Sequence, residues 1–97
     1  MKSVKRLEII AASLMLDKLL RQLESVGIPG YSVIRNVIGR GADGEVSTDS
    51  DFASTAMSNV YILLYCSEEE LAPALDRVRP LLKKYGGVCH VSDAMQV

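Results

Sequence analysis

One histidine and two cysteines are all the imidazole and thiolate metal ligands that the 97-residue chain offers. Cys89 and His90 are adjacent, and neighbouring side chains of a strand point to opposite faces, so they make no natural metal pair. A structural histidine at a subunit contact is the plainer reading. Nucleophilic catalysis by cysteine needs a histidine within hydrogen-bond reach and a third orienting group, and the sequence supplies no such set. Cys66 and Cys89 lie in apolar, strand-like runs with no C-x-x-C spacing. That excludes a disulfide scaffold and leads us to expect buried free thiols in a reducing cytoplasm. No apolar run reaches transmembrane length. The basic start, Met1 to Arg6, is followed by Glu8 and Asp17 without a cleavage signal, so no secretory leader is expected. A net charge of −1 gives no electrostatic case for nucleic acid, and no aromatic residue is interleaved with Lys2, Lys5 and Arg6.

A chain of this length is one domain with a modest core. Its hydrophobic content of 48% against 24% charged residues describes a globular protein. Lys5 to Ala11 alternates, with Leu7, Ile9 and Ala11 on one face, and predicts a first strand. Ser13 is positioned as an N-cap for a helix in which Leu16, Leu19, Leu20, Leu23 and Val26 form one apolar stripe and Gly27 ends the run. A second strand runs from about Tyr31 to Ile38. The third, Ser58 to Cys66, places Val60, Ile62, Leu64 and Cys66 opposite Asn59, Tyr61, Leu63 and Tyr65. Ser67-Glu68-Glu69-Glu70 matches a capping box. The helix behind it is amphipathic through Leu71, Ala74, Leu75, Val78, Leu81, Leu82 and Tyr85, with Pro80 expected to kink it. Gly86-Gly87 ends that helix, and Val88 to Met95 reads as the last strand.

The order β-α-β-β-α-β is the ferredoxin-like split βαβ arrangement, an α+β sandwich with both helices on one face of an antiparallel sheet. The other face should be polar in a monomer. The third strand is apolar on both sides, so a second subunit is expected to cover it. Between the second and third strands, Ala42 to Ala56 has no apolar period and carries −4, from Asp43, Glu45, Asp49 and Asp51. A long solvated loop is expected there, and its acids do not follow a calcium-loop spacing. At its base the β-branched run Val33 to Ile38 passes into Gly39-Arg40-Gly41. Bare amides in a glycine turn, with a fixed arginine charge beside them, suit an anion, although a simple turn accounts for the glycines equally well.

Three stretches resemble a known family. They are Gly30-Tyr31-Ser32-Val33 leading to Gly39-Arg40-Gly41, then Ser58-Asn59-Val60, then Tyr85-Gly86-Gly87-Val88 with Ser92-Asp93-Ala94. The chain is similar to PII-like signalling proteins, and most of all to the bicarbonate-related branch of carboxysome-associated PII-like proteins and the transporter partner SbtB. The resemblance implies a non-enzymatic homotrimer, residues 1–97 forming a single PII-like domain, with adenine nucleotide bound in the clefts between subunits. It implies a flexible T-loop at about 42–56 that signals to an inorganic-carbon transporter or related partner. Carried onto this sequence, Ser32 would lie near the adenine, and Asn59 and Val60 along the base pocket. Gly39, Arg40 and Gly41 would form the T-loop base around phosphate and around bicarbonate. Gly86, Gly87 and Val88 would form the opposing loop.

The departures bear on the ligand. Nitrogen-regulating members have a lysine in the second glycine loop and an arginine pair after the last strand. Here the glycines run into Val88, no such pair follows, and the loop 42–56 has no tyrosine to modify. Each lost charge-assisted contact is worth roughly 1.5–3 kcal/mol, which favours ADP or AMP over ATP, with cyclic AMP a further candidate. The alternatives are a CutA-like metal-binding trimer, which shares the fold, and a trimeric adaptor with no small ligand.

Overall fold

The computed structural model describes residues 1–39 and 58–97. Strand β1 is Lys2–Ala12; a single 3-10 turn, Ser13–Met15, leads into helix α1, Leu16–Ser25. Strand β2 is Ser32–Val37, β3 is Asn59–Cys66, helix α2 is Glu68–Tyr85 and β4 is Val88–Gln96. The strands form one antiparallel sheet in the order β2-β3-β1-β4. This is the ferredoxin-like βαββαβ architecture that the sequence order predicts.

The alternation in β1 and β3 fixes which side is core. Leu7, Ile9 and Ala11 face the helices, paired in register with Leu64, Ile62 and Val60, and all six are buried. Leu19 and Leu23 of α1 and Ala74 and Val78 of α2 close over them. Each fully buried Leu, Ile or Val contributes on the order of 1.5–3 kcal/mol, so this layer dominates the stability. β1 begins three residues earlier than its alternation predicts. Of its first residues Val4 is buried while Lys2 and Ser3 are exposed, and Lys2 pairs with Gln96 and Val4 with Ala94 across β4. Long-range pairing, which no local pattern carries, extends the strand.

Ser13 does not cap α1. The 3-10 turn intervenes, and the Ser13 hydroxyl instead lies 2.7 Å from that of Ser58, while its N–H donates to the Ser58 carbonyl at 2.9 Å. Helix α2 does have its box: the Glu70 N–H donates to Ser67 Oγ, and the Glu70 carboxylate accepts from the Ser67 N–H at 2.8 Å. That bond to the Ser67 N–H holds the Glu70 carboxyl below its ordinary pKa. A depressed folded-state pKa contributes stability above the unfolded value and loses it as pH falls. Ser67→Ala removes the Oγ that accepts the Glu70 N–H but keeps the Ser67 N–H, so it is expected to lower stability by about 1 kcal/mol as a lost helix cap. Glu70→Gln, which removes the titrating carboxylate, is expected to make the acid limb of a urea-midpoint against pH curve shallower.

Both prolines of α2 lie inside the helix, which continues through Pro80 to Tyr85. Each removes one i to i−4 donor, leaving the carbonyls of Glu69 and Asp76 without it. Pro73, Pro80, Glu69 and Asp76 are all exposed, so water satisfies what the backbone does not.

Among the described residues no helix covers the second face of the sheet. Ile10, Tyr61 and Leu63 are half-buried there, Tyr65, Val88 and Ile34 are exposed, and Ile34 reaches 59%. In its middle, Tyr61 donates to Glu8 at 2.5 Å, the Arg6 guanidinium lies 3.5 Å from Glu8, and Arg6 Nε donates to Ser92 Oγ at 3.1 Å. The face is thus apolar around a small, internally satisfied polar cluster.

Candidate functional site

The ends of three strands converge at the pole where β1 finishes. Ala12 pairs with Asn59, Asn59 pairs with Val37, and Gly39 lies two residues beyond Val37. A bulge between Ile34 and Val37 turns β2 here, with Asn36 at φ 59°, a conformation that asparagine tolerates better than most residues. The Asn59 amide reaches the Val37 carbonyl at 3.5 Å and ties the two strand ends. Arg40, Gly41 and the loop 42–56 lie outside the described residues.

Gly86 and Gly87 reach the same pole from the β4 side. They have φ of 86° and 110°, which L side chains rarely adopt. Gly87 is pressed against the sheet: a Cβ there would meet the Ile10 carbonyl oxygen at 2.8 Å. Val88 pairs with Ile10 and is 47% exposed on the open face. Val60 differs from the other candidates, because its side chain is wholly buried in the core. A ligand at this pole can meet Val60 through its backbone alone.

Ser32 is not part of this convergence. It pairs with Leu63, four residues along β3 from Asn59, or about 14 Å in extended chain. It also lies on β2, one outer strand of the sheet, whereas Gly86 to Val88 belong to the other outer strand. Three strand spacings, about 14 Å, separate those two edges. Ser32 instead lines a cavity of about 580 Å³ with Gly30, Tyr31, Leu63 and Tyr65. Leu63 and Tyr65 are cavity-lining residues that motif reading passes over. The available signal was their alternation: both share the open face of β3, and Leu63 stands directly across from Ser32.

Charge at this pole comes from helix residues. The ammonium of Lys18 on α1 lies 4.8 Å from the centroid of the Tyr85 ring, and that of Lys84 lies 5.2 Å from it. Hydrogen bonding from Lys84, then from Lys18, holds the Tyr85 phenol below its ordinary pKa. Burial pushes the Cys89 and Cys66 thiols up. That disfavours the reactive thiolate. His90 is exposed on the open face, across from Glu8, while Cys89 points to the helix side. Among the described residues no three His, Cys, Asp or Glu side chains are grouped to hold a metal, and no helix is long and apolar enough to cross a membrane.

The family described as nitrogen regulatory protein P-II matches residues 4–97 of the chain. No curated protein matches it. Among solved structures it resembles CPII, a nitrogen regulatory PII-like protein from Thiomonas intermedia K12 bound to ADP, AMP and bicarbonate. The TM-score is 0.86 at 25% identity, over 95% of this chain and 86% of that one. CPII bound to ADP and bicarbonate gives a TM-score of 0.82 at 25% identity, with the same 95% and 86% coverage. A PII-like signalling protein from Thermus thermophilus shares the fold, with a TM-score of 0.75 at 23% identity over 99% of this chain and 91% of the other.

Proposed function

Because the chain belongs to the nitrogen regulatory protein P-II family, we propose that it is a non-enzymatic regulatory protein that binds ADP or AMP between the subunits of a homotrimer, with bicarbonate as a second ligand. The single observation that carries the intersubunit reading is the separation of Ser32 from Gly86, Gly87 and Val88 on opposite edges of one sheet. One protomer cannot offer both to one nucleotide. A second copy whose β4 edge approaches the first copy's β2 edge can. Such head-to-tail contacts close into a ring, and three copies give three equivalent clefts. The open apolar face is the surface such a ring would bury.

In each cleft the cavity beside Ser32 suits the base. Leu63 and Tyr65 supply an apolar wall and an aromatic ring, and Ser32 supplies a hydroxyl for orientation. The backbone of Val60 lies between this cavity and the pole, where Asn59 stands. Gly39, with Arg40 and Gly41, would serve phosphate and bicarbonate from the β2 side, and Gly86 to Val88 from the β4 side. The CPII structures with ADP, AMP and bicarbonate support this choice of ligands. The reading takes residues 1–97 as one domain in the cytoplasm, with the loop at 42–56 as the element that meets a transporter or related partner of inorganic-carbon metabolism.

The test is a thermal-shift panel with ADP, AMP, ATP and cyclic AMP, each with and without bicarbonate. A ligand at about 100 times its Kd that binds the folded protein alone adds roughly 2.7 kcal/mol. The expected result is a rise in melting temperature with ADP or AMP that bicarbonate increases. If a folded trimer shows no shift with any nucleotide, the ligand-free adaptor replaces this reading.

A further inference from the structure

We propose that His90 makes subunit assembly pH-dependent: its protonation places an uncompensated charge on the open sheet face and separates the copies of the ring. The inference rests on the trimer of the proposed function, in which that face is buried. His90 is the only histidine of the chain. It is exposed on the open face of β4, and its register partner is Glu8 of β1. Directly opposite side chains of an antiparallel pair have Cβ atoms about 4.5–5.5 Å apart. The surroundings are apolar. Val88 precedes His90 on the same face of β4, Ile10 pairs with Val88, and Leu63 of β3 pairs with Glu8 from the other side.

Charge counting gives the sign. β4 is an outer strand of the sheet, and β1 is the strand paired with it. β1 turns Arg6 and Glu8 to this face, with Lys2 six residues from Glu8, about 20 Å along the strand. β3 turns Tyr61 and Tyr65 to it, and β4 itself adds Ser92, Ala94 and Gln96, none of them charged. Asp93 lies on the helix side, paired with Lys5. The Glu8 carboxylate is already engaged. It accepts from the Tyr61 hydroxyl and lies 3.5 Å from Arg6 Nε, which donates to Ser92 Oγ. Arg6 and Glu8 therefore balance, and beside a neutral His90 the cluster has no net charge. Protonation of His90 leaves one positive charge without a partner. On the open face of a single protomer, water solvates that charge. Inside a ring it loses that water, and among the described residues no further carboxylate faces it, so burial favours the neutral imidazole. The separated copies then bind more protons than the ring. Linkage makes the ring favoured at higher pH and lost as pH falls through the range in which the free protomer's imidazole gains its proton. The nucleotide clefts shared between subunits are lost with it.

The experiment is sedimentation equilibrium of the intact protein between about pH 7.5 and about pH 5.5, the window in which imidazole changes charge. Far-ultraviolet circular dichroism is recorded at each pH. The proteins are the wild type, His90→Gln and His90→Lys. The α-amino group also titrates close to this window, and both variants leave it in place. If only protomers with a neutral His90 enter the ring, each copy contributes up to about tenfold over this range. The three together then raise the trimer dissociation constant on the order of a thousandfold. The expected result is that rise in the wild type, a trimer with a flat pH profile for H90Q, and a folded monomer near pH 7.5 for H90K. A wild-type trimer with a flat profile, or an H90Q rise as steep as the wild type's, overturns this inference and leaves the trimer standing. Loss of the dichroism signal near pH 5.5 in place of dissociation assigns the acid response to folding and also overturns it. A wild type that is monomeric at every pH overturns the trimer itself, and this inference with it.

Discussion

Replacing Gly87 by alanine is expected to cost about 2–6 kcal/mol, a large part of the 5–15 kcal/mol typical of a domain. Two terms add. The first is backbone strain, since φ of 110° is a conformation that residues with a Cβ rarely adopt, at on the order of 1–3 kcal/mol. The second is steric. The new Cβ would stand 2.8 Å from the Ile10 carbonyl oxygen, 3.0 Å from Leu82 Cδ2 and 3.2 Å from Ala11 Cβ. Leu82 can rotate away, but Ile10 cannot, because it pairs with Tyr61 on one side and Val88 on the other. Overpacking against such a wall costs about 1–3 kcal/mol. Gly86 is the internal control. Its φ of 86° and ψ of 175° are equally a glycine conformation, yet nothing lies within 4 Å of its missing Cβ. Gly86→Ala should then show the strain alone, about 1–3 kcal/mol. Urea unfolding of both variants at one protomer concentration checks this. Equal losses would mean that the Ile10 contact does not fix Gly87.

The same glycine pair shows what sequence could and could not reveal. Gly86-Gly87 as the end of α2 was legible, because an apolar helical stripe stops there and glycine favours such ends. The tight seat of Gly87 under Ile10 was not, because it depends on β4 joining β1, the strand from the opposite end of the chain. Strand β3 was legible almost residue by residue: alternation names Val60, Ile62, Leu64 and Cys66 as core, and all four are buried. That success also exposes the weakness of the motif route. A motif placed Val60 along the base pocket; period two turns its side chain inward, which leaves only its backbone to a ligand there. Ser13 failed for a related reason. Its preference for a helix start is local, and a partner distant in the chain, Ser58, takes its hydroxyl. Pro80 was expected to kink α2 from its lost donor; the helix runs continuously through it, and the exposure of Asp76, whose carbonyl loses that donor, is a tertiary property. The cluster at Tyr85 was invisible for the same kind of reason, since Lys18 is 67 residues from it. Ser32 was named as a candidate through resemblance alone, and its distance from the glycine pair, on which the proposed shared cleft rests, came from the strand order.

Placing a charge on the open sheet face should separate folding from ligand binding. Ile34 is 59% exposed, lies outside the core cluster and does not line the Ser32 cavity. Ile34→Lys therefore costs the protomer little, within about 0.5 kcal/mol for an exposed position. In a trimer it would bury a lysine without a partner, at several kcal/mol per copy. The expected result is a monomer by sedimentation with an unchanged far-ultraviolet circular dichroism spectrum. Its affinity for ADP should fall at least about a hundredfold, because the contacts contributed by the neighbour's Gly86 to Val88, worth roughly 1.5–3 kcal/mol for each bond to a charged group, are absent. Ile10→Lys, on β1 of the same face and away from Ser32, should also give a monomer, but Ile10 is half-buried and seats Gly87, so its loss of ADP affinity includes a local effect that Ile34→Lys lacks. Linkage then requires the converse in the wild type: ADP must shift the equilibrium toward the trimer when the protein is diluted. A folded monomer of either variant that bound ADP as tightly as the wild type would place the whole site within one protomer and overturn the shared cleft.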